Sequence, residues 1–154
     1  MKIMVPLDTS ELSASALPLA ERLARAFGAE LLIVTVADAD LLGSLAEFAE
    51  VEGAQPIEIV ESYLKRMSAA VSVSIQVEML ATNDPATGLV ERAGRGDVEM
   101  IVMASHGRSA IQRWMMGSVS ERVVRGATVP VTVVPAPWRV TVPAHRTEAA
   151  TAQT

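Results

Sequence analysis

The chain of 154 residues is the length of one compact domain and carries a net charge of −5, so it has no global positive field to draw in nucleic acid. The absence of cysteine excludes disulfides, thiolate metal sites and a cysteine nucleophile, and fits a reducing compartment. Half of the residues are apolar but only 3% are aromatic, which points to a layered aliphatic core, and no apolar run approaches the ~18 residues of a membrane span.

In chain order, Ile3 to Leu7 is a short apolar strand that stops at Asp8. The opening MKIMVPLD is broken by Asp8 too early for a signal-peptide core, so a cytoplasmic protein is expected. Leu12, Ala16, Leu19, Leu23 and Ala26 then recur on one helical face, between candidate caps at Asp8 to Glu11 and a stop at Gly28, with a bend expected at Pro18. Leu31 to Val36 is almost continuously apolar, as in a parallel strand buried on both faces. Residues 37–55 have no clear period; they have room for a short helix, and their acids from Asp38 to Glu52 read as a solvated surface segment, the alternative being that they lie near a bound anion and repel it.

A helix follows Pro56 with Ile57, Val60, Leu64, Met67 and Val71 inward. Val71, Val73, Ile75, Val77 and Met79 alternate with polar residues, as in a strand near a sheet edge. Asn83-Asp84-Pro85 opens a further helix that ends at Gly94, and Met100 to Ala104 is another buried strand. Ser118 to Glu121 has the spacing of a capping box for a helix ending at Gly126, and Val129 to Val134 is the last strand. Strand and helix alternate throughout, which predicts one α/β domain over residues 1–135, an open parallel sheet with helices on both faces, followed by a tail over 136–154.

Ligands of open parallel sheets bind beyond the carboxyl ends of the strands, where the strand order reverses. The candidates are Asp8, residues 36–38, and the run Met103-Ala104-Ser105-His106-Gly107. Nine residues after Gly107, Gly117-Ser118-Val119-Ser120 opens a helix, where unpaired amides, a positive dipole end and two hydroxyls suit an anion. Arg108 and Arg113 are near enough in sequence to reach phosphates, although a lone loop arginine is usually a surface charge. His106 reads as a loop residue bonded to backbone, because the other histidine, His145, falls in the tail. Trp114, Met115 and Met116 read as packing residues. The motifs of P-loop, dinucleotide, serine-hydrolase and zinc-protease sites are absent.

The spacing Ala104-x2-Gly107-x9-Gly117-Ser118 resembles the Gly-x2-Gly-x9-Gly-Ser/Thr motif of the nucleotide-binding universal stress proteins. The longer string MASHGRSAIQRWMMGSVSERVVRGATVPVTVV and the opening VPLDTSELSASALPLAERLA are also similar to that family. The resemblance spans Lys2 to Val134. It implies a Rossmann-like, five-stranded sheet of order 3-2-1-4-5. It implies ATP, or ADP or AMP, with Mg held through the phosphates. Pro6, Asp8 and Val36 would line the adenine and ribose, Met103, Ala104 and Gly107 would border the sugar and phosphates, and Gly117, Ser118, Val119 and Ser120 would hold the phosphate chain. Asp8 would pair with a ribose hydroxyl or a Mg-bound water, or cap the first helix. A homodimer through Val129 to Val134 is implied as well. The departure from the pattern is Ala104 in place of the first glycine, a change that costs little where φ is negative.

The expected function is that of a nucleotide-binding stress-response regulator. The alternatives are an interaction module of the same fold without nucleotide, and a slow ATPase that uses Asp8 or His106.

Overall fold

The computed structural model describes residues 1–106 and 116–135. The elements are β1 (Lys2–Pro6), α1 (Glu11–Ala14), α2 (Leu17–Phe27), β2 (Glu30–Val36), α3 (Ala39–Glu52), α4 (Pro56–Ala69), β3 (Ile75–Leu80), α5 (Pro85–Ala93), β4 (Val98–Ala104), α6 (Ser118–Gly126) and β5 (Val131–Val134). All strands pair in parallel, in the order β3-β2-β1-β4-β5.

Two apolar layers sandwich this sheet. On one face Ile3, Val5, Leu31 and Ile33 pack against Ala16, Ala20 and Ala24 of the α1–α2 segment, Leu41 of α3, and Val60 and Leu64 of α4. On the other face Met4, Leu32, Val34, Ile101 and Met103 pack against Ala86, Leu89 and Ala93 of α5 and Val123 of α6. Consecutive residues of β1 and β2 thus point to opposite layers and, after the partly buried Lys2 and Glu30 that open them, are all buried, which is why these strands read as nearly unbroken apolar runs. Each fully buried aliphatic side chain contributes about 1.5–3 kcal/mol.

Four local expectations are corrected. The first predicted helix is two, because Pro18 lies in the first turn of α2 and cannot donate to the carbonyl of Ala14. The chain instead passes Ser15 and Ala16 with tight bonds from Ser15 N to Leu12 O and Ala16 N to Ser13 O, so the break precedes the proline. The acidic stretch is not a short helix but 14 residues of α3, capped by Asp38 and closed by Gly53 at φ +67°. Strand β3 begins at Ile75, not Val71, since α4 runs to Ala69; it does form a sheet edge. Helix α6 is capped by Gly117, without a side-chain cap bond, so the Ser118–Glu121 capping box does not form.

Candidate functional site

The order of strands reverses between β1 and β4: β2 and β3 follow on one side, β5 on the other. A cavity of about 550 Å³ opens at the carboxyl ends of these central strands. It is within the ~300–1,000 Å³ of small-molecule sites.

Its floor is the ends of three strands. Pro6 ends β1, Val36 ends β2, and Met103 and Ala104 end β4; all four line the cavity. Beyond β1 the chain turns at Asp8. The carboxylate Oδ1 of Asp8 accepts from Ser10 N at 3.1 Å and Ser10 Oγ at 2.6 Å, and Ser10 in turn caps α1 by accepting from Ser13 N at 3.1 Å. Asp8 therefore organises the cap residue and is not the cap itself. Between them Thr9 is held at φ +69°, a left-handed conformation that is strained for a β-branched residue.

The far wall is the start of α6. Gly117 N donates to Ser105 O at 2.8 Å, and a Cβ on Gly117 would lie 3.3 Å from that same oxygen. Its φ of −61° suits any residue, so the close passage against the Ser105-His106 backbone, rather than chain flexibility, favours glycine here. Because Gly117 offers no capping side chain, the first-turn amides of Ser118, Val119 and Ser120 are left without a side-chain acceptor at the cavity. Ser120 differs from expectation: its hydroxyl donates to Ala104 O at 3.0 Å, so that hydrogen joins α6 to β4 and does not serve the cavity.

Eleven of the sequence-derived candidates, Pro6, Asp8, Val36, Asp38, Met103, Ala104, His106, Gly117, Ser118, Val119 and Ser120, meet in this one cavity. Gly107, Arg108 and Arg113 lie outside the described residues, as does the tail 136–154. His106 is bonded to a side chain, not to backbone: Ser105 Oγ and His106 Nδ1 are 3.0 Å apart, and the buried Nε2 has no partner.

Sequence reading placed residues 36–38 at the site but missed other lining residues, among them Asp40, Asn83, Pro85 and Arg122. Asp38, nearly buried, caps α3 by accepting from Leu41 N at 2.6 Å, and with Asp40 it brings the start of the acidic stretch to the cavity instead of leaving it all on the solvated surface. Asn83 and Pro85 enter from the carboxyl end of β3, where the strand-end rule applied equally. Arg122 enters from the second turn of α6, four residues after Ser118 and so on the same helix face. It makes a two-pronged pair with Asp84, and the guanidinium, followed by the Thr87 hydroxyl and amide, holds the Asp84 carboxyl well below the usual carboxylate range. Among the described residues no group of three or more His, Cys, Asp or Glu is placed to hold a metal ion, and no helix is long and apolar enough to cross a membrane.

The profile of the universal stress protein family matches residues 1–135 of the chain. The chain belongs to that family. The universal stress protein MJ0531 of Methanocaldococcus jannaschii is 33% identical over 145 residues, spanning 88% of this chain and 82% of the relative. The universal stress protein YxiE of Bacillus subtilis is 30% identical over 147 residues, spanning 86% of this chain and 97% of the relative. Among solved structures, a universal stress protein in complex with cAMP superposes with a TM-score of 0.61 at 25% identity, covering 87% of this chain and 95% of that one. The universal stress protein UspA from Lactobacillus plantarum, at 23% identity and a TM-score of 0.65, shares the fold over 87% of this chain and 97% of its own.

As a universal stress protein the chain departs from the glycine motif at Ala104, and the structure shows what that departure costs. Ala104 is the buried last residue of β4, paired with Val134, and among the described residues Thr9 is the non-glycine with positive φ. The methyl group therefore sits on ordinary strand backbone.

Proposed function

We infer that the cavity binds an adenine nucleotide and that the protein is a nucleotide-responsive regulator of the stress response. The carrying observation is the uncapped start of α6 at Gly117, facing a cavity at the β1/β4 reversal. Amide donors and the positive end of a helix dipole converge there on a space of nucleotide size. The phosphates lie against Ser118 and Val119, and the base and ribose lie between Pro6, Asp8 and Val36. The relative solved with cAMP supports an adenine ligand in this fold.

A Mg ion, where present, travels on the phosphates. Gly107, Arg108 and Arg113 belong to this proposal as further phosphate contacts, residues 1–135 as the binding domain, a homodimer through Val129 to Val134, the stretch that holds the edge strand β5, as its assembly, and the cytoplasm as its location. Calorimetric titration with ATP, ADP, AMP and cAMP, each with and without Mg, tests the reading. Micromolar binding of at least one supports it; binding no tighter than millimolar for all four overturns it.

A further inference from the structure

Among the described residues that line the cavity there is one arginine or lysine, Arg122. Ser118 and Arg122 share a face of α6, and long helical side chains lean back toward the helix amino terminus. That lean brings the guanidinium toward the uncapped first turn.

There it rests on Asp84. Nη1 donates to Oδ1 and Nη2 to Oδ2, both at 2.8 Å, and Nη2 also reaches Thr87 Oγ1 at 3.3 Å. These three bonds leave the Nε hydrogen and one Nη1 hydrogen of the five guanidinium donors available. The two side chains are 56% and 44% exposed, so little holds the pair together in water. Asp84 also accepts from Thr87 N at 3.3 Å as the cap of α5, a bond that survives the departure of Arg122.

We propose that Arg122 is the ligand of the outermost phosphate, that Asp84 is its resting partner, and that the pair grades nucleotides by their number of phosphates. The inference rests on the nucleotide reading of the cavity. A monophosphate needs only the amides at the start of α6. A triphosphate adds negative charge that calls for a cation, and Asp84 competes with it for that cation.

The test is calorimetric titration of the full chain with AMP and with ATP in Mg-free buffer. Arg122→Ala is expected to weaken ATP by about tenfold or more and to leave AMP within about twofold. Asp84→Asn keeps a helix-capping side chain but releases Arg122, and is expected to tighten ATP by about threefold with AMP unchanged. Equal losses for AMP and ATP in Arg122→Ala, no loss for either, or no gain for ATP in Asp84→Asn, each overturns the proposal. Wild type that binds both ligands alongside a silent Arg122→Ala removes this inference alone, whereas wild type that binds neither removes the nucleotide reading as well. Asp84→Asn decides the matter if Arg122→Ala does not fold.

Discussion

The hydroxyl of Ser120 donates to the carbonyl oxygen of Ala104 at 3.0 Å, across 16 residues of sequence. Both residues are about 4% exposed, so water does not replace the bond when it is lost. Ser120→Ala is therefore expected to lower unfolding free energy by about 1–3 kcal/mol. Urea denaturation checks this, and an unchanged midpoint would show that the bond holds nothing.

Ala104→Gly restores the family glycine at a position whose backbone does not need it. The loss of a buried methyl group and the added freedom of the unfolded chain should together cost about 1–2 kcal/mol. Nucleotide affinity should stay within about twofold, given the strand geometry of Ala104. A gain of tenfold or more would mean that the methyl group obstructs the ligand.

Thr9 at φ +69° stores strain beside Asp8. Thr9→Asn, a residue that tolerates this conformation, is expected to stabilise the protein by about 1 kcal/mol. A fall in thermal midpoint would reveal that the Thr9 side chain makes contacts worth more than the strain.

Acid should destabilise the fold through Asp97. The buried Arg92 clasps it with bonds of 2.7 and 3.1 Å while also holding Glu78 at 2.6 Å, and Lys2 adds a bond of 2.9 Å. These bonds, that of Arg92 first and that of Lys2 second, hold the Asp97 carboxyl well below the ordinary carboxylate range. A group with a lowered folded-state pKa adds stability that is complete above its unfolded value, about 4, and is lost as pH falls toward the folded value. The urea midpoint should thus owe this pair nothing variable between about pH 5 and 8, and should decline below about pH 4. Asp97→Asn should flatten that acid decline and lower the midpoint at neutral pH. Solvent screens the effect, because the Asp97 side chain is 39% exposed. An acid limb identical in wild type and variant would assign the decline to other carboxylates.

The parallel sheet was legible because buried strands such as Leu31 to Val36 write their environment into composition, every residue apolar on both faces apart from Thr35. The alternation that marked β3 as an edge strand reflects one covered face, and β3 is at the edge. Helix α3 was obscure because its apolar residues mark no single face, and its caps, Asp38 and Gly53, stand out only once both ends are known. The site was legible where it depends on strand ends and on a glycine before a helix. It was not legible where a side chain reaches it from elsewhere: Arg122 looks like one charge among several until Ser118, one turn earlier, is known to line the cavity.

Ser105 O and Gly117 N meet at 2.8 Å, and Ser120 bonds back to Ala104, so the chain leaves the scaffold and returns to it at one place. The carboxyl end of β4 and the amino end of α6 are therefore held to each other by their own bonds, without help from the residues between them in sequence. The floor and the far wall of the cavity are thus riveted to each other by these two bonds, which set its width at that corner.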